Sequence, residues 1–311
     1  MWKYLLLRGG VTFLSRLPHF LGYALATIIG DTTFLLAGKS RAILTANLSR
    51  VLGSDASTQT MRRTCQQCFR NLWRNYYDLV RAPRISPASH AGITEMVGSE
   101  HLDRALQYGR GVIVATAHMG NFEMLPHIAL ARGIPIVILV EKFEPEILWQ
   151  YWMNVRNAKG VSFQAADATG IRAAFRVLKH GGIVAIACDR LVQGEGTPAL
   201  FMGERAIMPI GAIDLSLRTG AVILPAFASR TGVARCMVRV EEPILLPASA
   251  DKFDLETRQQ VLERIIAVME CNIREKPEQW LMFQPLWQKS SAVFQDDLML
   301  ASAAPGTAQR D

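Results

Sequence analysis

The chain has 311 residues, half of them apolar, with 34 Lys and Arg against 27 Asp and Glu for a net charge of +7. That composition excludes a disordered tail protein, which lacks the apolar residues to bury a core, and the length fits one large domain or a domain with an appendage. The charge is uneven: residues 1–84 carry 12 basic and 3 acidic side chains, leaving 22 and 24 for the remainder. A basic front end therefore joins a near-neutral body, and such asymmetry points to an anionic partner, either nucleic acid or a membrane surface.

From the N-terminus, Lys3, Arg8, Arg16, Lys39, Arg41 and Arg50 bracket a run from Leu17 to Gly38 whose only charge is Asp31. Phe20, Leu21, Tyr23, Leu25, Ile28, Ile29, Phe34 and Leu35 lie inside it, which favours hydrocarbon over phosphate as the partner. The run is about long enough to span a bilayer, but Gly22, Gly30, Asp31, Thr32 and Thr33 interrupt it, so two short helices in the interface are expected. A true span and a buried helical hairpin are the alternatives. A cleaved signal peptide fits less well, because no small-residue cleavage site follows promptly.

Residues 56–81 place Met61, Cys65, Cys68, Phe69, Leu72, Trp73, Tyr76 and Leu79 at helical spacing between five arginines, an amphipathic basic helix that either packs on the domain or touches a membrane. Cys65 and Cys68 form a lone CxxC with no further ligands nearby, so core packing is expected rather than a metal site. Five cysteines in so long a chain are no disulfide framework and suit a cytosolic-facing protein. Ala82 to Ala91, with Pro83 and Pro87, reads as a hinge.

Beyond it, strand-length apolar runs (112–116, 134–140, 183–187, 221–227 and 236–240) are interspersed with helix-like segments at 100–108, 122–131, 147–158, 170–179 and 211–218. This alternation predicts an α/β fold: a single mostly parallel sheet flanked by helices. A long helix over 255–274 closes the domain, and a small, polar tail follows. The expected organisation is residues 1–84 as membrane-associating helices, 85–290 as the α/β domain and 291–311 as a flexible tail.

Chemistry in open α/β sheets collects at the carboxyl ends of strands. The first strong strand ends in Thr116-Ala117-His118-Met119-Gly120-Asn121-Phe122-Glu123. His118 would emerge from the strand, Gly120 would permit a sharp turn and Asn121 would cap the next helix, bringing Glu123 back toward His118. Pro126 should disturb that helix early. A carboxylate on one imidazole nitrogen leaves the other free to take a proton from a hydroxyl. No GxSxG elbow supplies a nucleophilic serine, so the hydroxyl would be the substrate's, as in direct acyl transfer. A structural histidine at the corner is the alternative reading.

HMGNFE after a hydrophobic strand resembles the HxxxxE signature of the bacterial lysophospholipid acyltransferase superfamily, in the branch of lipid A late acyltransferases and phosphatidylinositol mannoside acyltransferases. Ala187-Cys188-Asp189-Arg190, Leu200 to Arg205 with Met208 to Gly211, Lys276 to Trp280 and Gln284 to Trp287 are similar to further blocks in the same order. The resemblance implies a glycerol-3-phosphate acyltransferase-like fold and an enzyme on the cytoplasmic face of the plasma (inner) membrane. That enzyme would move an acyl chain from acyl carrier protein or acyl-CoA to a hydroxyl of a lipid or glycolipid, with no cofactor and no metal. It implies His118 and Glu123 as the catalytic dyad, with Arg156 and Asp189 as further residues of the substrate site. Arg190, Gly120 and Asn121 are also expected to meet the substrate, Arg190 or the backbone amides around Gly120 as candidate oxyanion donors. Glu123 matches the lipid A enzymes, whereas Phe283 to Trp287 and the Met208-Pro209 context look closer to the mannoside branch, so the acceptor stays open. Gly194 to Pro198 resembles an acceptor-phosphate motif but has Pro198 in place of arginine, and reads as a flexible loop.

Two other classes stay in view: a hydrolase using the same base on water, and a lipid-binding membrane protein without catalysis. A dinucleotide enzyme is disfavoured, since no GxGxxG follows a strand and opens a helix. Nucleic acid is not expected, because the body is net acidic.

Overall fold

The computed structural model describes residues 2–86, 89, 92–157, 160–192, 196–247 and 255–287. Four helices come first: α1 (Trp2–Leu14), α2 (His19–Leu36), α3 (Gly38–Leu52) and α4 (Thr58–Arg81). The body then runs β1 (Thr94–Val97), α5 (Ser99–Gln107), β2 (Val112–Thr116), α6 (Leu125–Ala131), β3 (Ile136–Val140), α7 (Glu146–Asn157), β4 (Ser162–Ala165), α8 (Ala168–Lys179) and β5 (Ile183–Ala187). It continues with the hairpin β6 (Gly196–Phe201) and β7 (Glu204–Pro209), then α9 (Gly211–Thr219), β8 (Val222–Arg230), β9 (Cys236–Val240) and α10 (Leu255–Glu275).

The main sheet has the order β1-β9-β8-β2-β5-β3-β4. Every pairing is parallel except β8 with β9, so the expected α/β class with a mostly parallel sheet holds. β2 is buried at all five positions, as a central strand covered on both faces must be. One core packs Ile113, Ala115, Val184 and Ile223 beneath α8, α9 and α10. The other packs Val112, Val114, Ala185 and Leu224 with Leu102, Ala129 and Trp149 of α5, α6 and α7.

The front end departs from expectation. Leu17 to Gly38 is not two short helices but mainly the single helix α2, which starts after Pro18. The threonines do not break it: Thr27, Thr32 and Thr33 return their hydroxyls to the carbonyls of Tyr23, Ile28 and Ile29 at 2.8–2.9 Å, the back-bonding that lets a hydroxyl sit inside a helix. Nor do the glycines, which are contact points. A Cβ on Gly30 would stand 2.7 Å from the Arg70 Cα, and one on Gly22 only 1.9 Å from the Tyr77 ring. α2 thus lies directly along α4. Asp31 accepts from Arg70 Nε at 2.7 Å and from Gln66 at 2.7 Å, and Trp73 donates to Thr33 at 2.9 Å. By length and composition α2 could cross a membrane.

α4 is the expected 56–81 helix, capped by Ser57 on the Thr60 N–H at 3.1 Å. Cys65 and Cys68 are buried and free, as core residues. The hinge opens with a 3-10 turn, Ala82–Arg84, and residues 87, 88, 90 and 91 lie outside the described residues, as does the tail from 288 onward. The short strands β1 and β4 and the β6–β7 hairpin were not expected. Gly196 to Pro198, read as loop, begin β6, while Gly194 and Glu195 lie outside the described residues.

Candidate active site

In the centre of the sheet β2 and β5 run parallel, with Thr116 opposite Ala187. His118 and Asp189 each follow two residues later, so register alone sets them abreast. His118 Nδ1 lies 2.7 Å from Asp189 Oδ1. Asp189 is fully buried, and its Oδ2 accepts the His118 backbone N–H at 2.8 Å and the Trp280 indole N–H at 3.0 Å. Burial opposes ionisation of both groups, but their mutual charge and hydrogen bond outweigh it. The Asp189 carboxyl is therefore held below its ordinary range and His118 above its ordinary 6.5. The other imidazole nitrogen, Nε2, has no protein partner among the described residues, and the ring faces a cavity.

The corner after His118 is fixed by a segment near the end of the chain. Pro277–Gln279 forms a 3-10 turn. Leu281 donates to the His118 carbonyl at 2.7 Å, and Gly120 donates to the Gln279 carbonyl at 2.9 Å. Gly120 has φ +56, and a Cβ there would sit 2.1 Å from the Ala228 carbonyl oxygen. Both the left-handed turn and the close approach of β8 require glycine.

The pairing of His118 with Glu123 is corrected. Residues Phe122–Met124 form a 3-10 turn rather than the start of an α-helix, and this turns Glu123 toward α7. There its carboxylate takes both ends of the Arg156 guanidinium, Nε at 3.2 Å and a closer amino nitrogen. Arg156 also covers the Phe163 ring at 5.3 Å. The expected 122–131 helix is divided just before Pro126 into that 3-10 turn and α6, and Pro126 falls at the second position of α6, where its missing N–H has no intrahelical acceptor to lose.

The cavity, about 700 Å³, opens at the carboxyl ends of the strands. His118, Glu123, Arg156 and Arg190 reach it. Its apolar wall takes Ile138, Val140 and Phe163 from one face of the sheet and Leu139, Phe175 and Leu215 from the other. Arg190 stands at the rim, donating to Gln284 at 2.7 Å and paired with Glu141. Gly120 and Asn121, expected to meet substrate, lie behind the histidine with their polar atoms turned inward. Gly120 O accepts from Asn75. Asn121 sits at the cap position but makes no side-chain cap; its Nδ2 donates to Asp78 at 2.7 Å. The Cys188 thiol lines the cavity, yet burial and then the Asp189 charge push it up to about 12, so it stays protonated and is a poor nucleophile. Among the described residues no three His, Cys, Asp or Glu side chains are gathered as a metal would need.

Residues 1–289 match the family model described as bacterial lipid A biosynthesis acyltransferase. The chain belongs to that family. It is similar to the phosphatidylinositol mannoside acyltransferase of Mycobacterium tuberculosis (strain ATCC 25618 / H37Rv), 29% identical over 252 residues, which are 78% of this chain and 76% of the relative. It is also similar to the protein of that name from Mycolicibacterium smegmatis (strain ATCC 700084 / mc(2)155), 28% identical over 251 residues, 78% of each. As a member of the lipid A biosynthesis acyltransferase family, the chain is an acyltransferase of lipid or glycolipid biosynthesis.

Within this acyltransferase, sequence reasoning gave Trp280 no role, although it donates to the carboxylate beside the histidine. Its only signal was membership of a tryptophan-bearing block. Asp78, Asn75 and Arg230, which back the corner, went unnoticed. Asp78 had one mark, as one of three acids among the first 84 residues.

Proposed function

We propose that this acyltransferase moves a fatty acyl group from a thioester donor, acyl carrier protein or acyl-CoA, to a hydroxyl of a membrane glycolipid. The observation that carries the reading is His118, backed by Asp189 and open at Nε2 to a largely apolar cavity. In this mechanism Nε2 removes the acceptor hydroxyl proton as the oxygen attacks the thioester carbonyl. Asp189 stabilises the imidazolium that forms, and the imidazolium returns the proton to the thiolate leaving group. Glu123 acts one step removed, holding Arg156 at the cavity, where the guanidinium meets anionic groups of substrate or donor. Among oxyanion donors Arg190 suits the task better than the Gly120 amide, whose N–H is already given to Gln279. The apolar walls suit the acyl chain.

The acceptor we favour first is a mannosylated phosphatidylinositol, after the named relatives, with a lipid A precursor second. The test supplies each acceptor in turn with labelled acyl-CoA and acyl carrier protein thioester. Transfer to neither, with release of free fatty acid instead, would favour a hydrolase. His118→Ala should lower the transfer rate by roughly 10²–10⁴-fold while leaving vesicle binding intact; near-normal transfer would remove His118 from the mechanism.

We further propose that α2 lies in the plane of the cytoplasmic leaflet of the inner membrane rather than spanning it. Phe20, Ile28, Leu35 and Leu36 are exposed along one face, while Gly22, Tyr23, Ala26, Gly30 and Phe34 are buried on the other. A vertical span would strip α2 from α4 and carry Asp31 into hydrocarbon, at a cost of about 2.5–3.5 kcal/mol for the carboxylate alone. Lying flat, the helix keeps those contacts and presents its apolar stripe to lipid, with exposed Arg8, Arg16 and Lys39 near anionic headgroups.

A further inference from the structure

Behind the catalytic corner, polar side chains from α2, α4, the corner itself, β8 and the Pro277–Gln279 turn meet in a buried cluster. At its centre is Asp78 of α4, only 9% exposed at the side chain. Its Oδ1 accepts the Tyr23 hydroxyl of α2. Its Oδ2 accepts Asn121 Nδ2 at 2.7 Å and an Arg230 amino group at 2.6 Å. The same amino group of Arg230 donates to Asn75 Oδ1 at 2.9 Å, and Asn75 Nδ2 donates to the Gly120 carbonyl. Gln279 then closes the ring. Its side-chain oxygen takes the Arg230 backbone N–H at 2.6 Å, its side-chain amide donates to the Arg230 carbonyl at 2.9 Å, and its own carbonyl takes the Gly120 N–H.

Gly120 and Asn121 lie between His118 and Glu123 in the chain. Both are thus tied, on the side away from the cavity, to a helix of the basic front end. A carboxylate buried against a guanidinium is costly to assemble by itself and is often no gain over apolar packing, so packing α2 on α4 does not require it. What the cluster adds is direction. It fixes both peptide groups of the Gly120 turn and the side chain that leaves it, so the imidazole and Glu123 leave the corner on set lines. Displacement of a reacting group by about 1 Å can lower a rate by roughly a hundredfold.

The geometry points to Asp78 as a positioning residue for acyl transfer: through Asn121 and, with Asn75 and Arg230, through Gly120, it holds the HMGNFE turn, which makes the basic front end part of the active site and not a detachable anchor. The inference rests on His118 being the general base proposed above.

The decisive variant is Asn121→Ala. It cuts the direct tie between Asp78 and the corner but leaves Asp78 bonded to Tyr23 and Arg230, and hence leaves α2 and α4 joined. Asn121→Ala should lower kcat about tenfold or more with the acyl-donor KM within about twofold, and Asp78→Ala should do the same. Since Asn121 acts through Asp78, adding Asn121→Ala to Asp78→Ala should lower kcat by less than about twofold further. Fully multiplying effects would mean that Asn121 meets substrate on its own, and kcat within twofold of wild type for Asn121→Ala would mean that the cluster is only packing; either overturns the proposal.

Amide hydrogen exchange gives a second readout that needs no substrate and stands even if Asp78→Ala does not fold. In Asn121→Ala, exchange should rise in peptides covering 118–123 and stay unchanged in those of α2 and α4. Unchanged exchange at the corner overturns the positioning role without touching the transfer reaction, whereas a wild type that exchanges as expected but transfers no acyl group counts against the function and not against the tether.

Discussion

At His118 two influences act in opposite directions. Burial disfavours the imidazolium, while the Asp189 charge and hydrogen bond favour it and prevail. A general base works in its neutral form, so kcat/KM should fall on acidification through a midpoint above the ordinary histidine value. Asp189→Asn removes the stabilising charge and leaves the burial, so the acid limb should move to lower pH. The plateau should drop at the same time, because the imidazolium of the transition state loses its partner. A pH profile of kcat/KM for the two proteins checks this, and an acid limb that stays in place would detach Asp189 from the titrating group. The histidine and its motif were legible in the sequence, but its partner was not. Asp189 is 71 residues away and arrives through the register of two parallel strands, which single-chain periodicity does not encode. Glu123 misled by its nearness: a spacing of five suggested a return to the histidine, but the 3-10 turn spends that carboxylate on Arg156.

Among the elements, α2 shows how a sequence can look broken and be continuous. Glycine and threonine lower helix propensity, yet the threonines bond back to their own helix and the glycines receive a neighbour. Gly30→Leu should therefore separate α2 from α4 and cost about 1–3 kcal/mol of stability, read as a lower unfolding midpoint. Gly38→Ala has nothing within 4 Å of the new Cβ and should hold or slightly raise the midpoint; equal losses at both positions would mean that close helix approach is not what these glycines serve. The longer apolar strands and the helices that follow them were readable from periodicity, often to within a residue or two. The four-residue strands β1 (TEMV) and β4 (SFQA) and the β6–β7 hairpin were not. They are short, partly polar and half-exposed; β1 and β4 exist because a neighbouring strand of the main sheet offers its edge, a fact of tertiary structure, while β6 and β7 pair only with each other.

On the scale of the whole molecule, the uneven charge and the apolar stripe of α2 combine in one expectation. Binding to vesicles with anionic lipid should weaken as salt rises but persist in part, because screening removes the electrostatic share and leaves the apolar one. Ile28→Glu combined with Leu35→Glu should remove much of the remainder without lowering the unfolding midpoint, since both side chains are 62% exposed. Co-sedimentation across a salt series measures both, and a double variant that still binds as wild type would place the membrane contact elsewhere. The strap that closes the site, Pro277 to Leu281, has a different consequence, one of timing. The helices that would meet the bilayer precede His118 in the chain, whereas the indole on Asp189 and the carbonyl that receives Gly120 come from Trp280 and Gln279, long after it. During translation the corner cannot acquire these partners until the chain has grown past Leu281, so a nascent chain whose first helices have emerged would be able to meet a bilayer before His118 is fully seated.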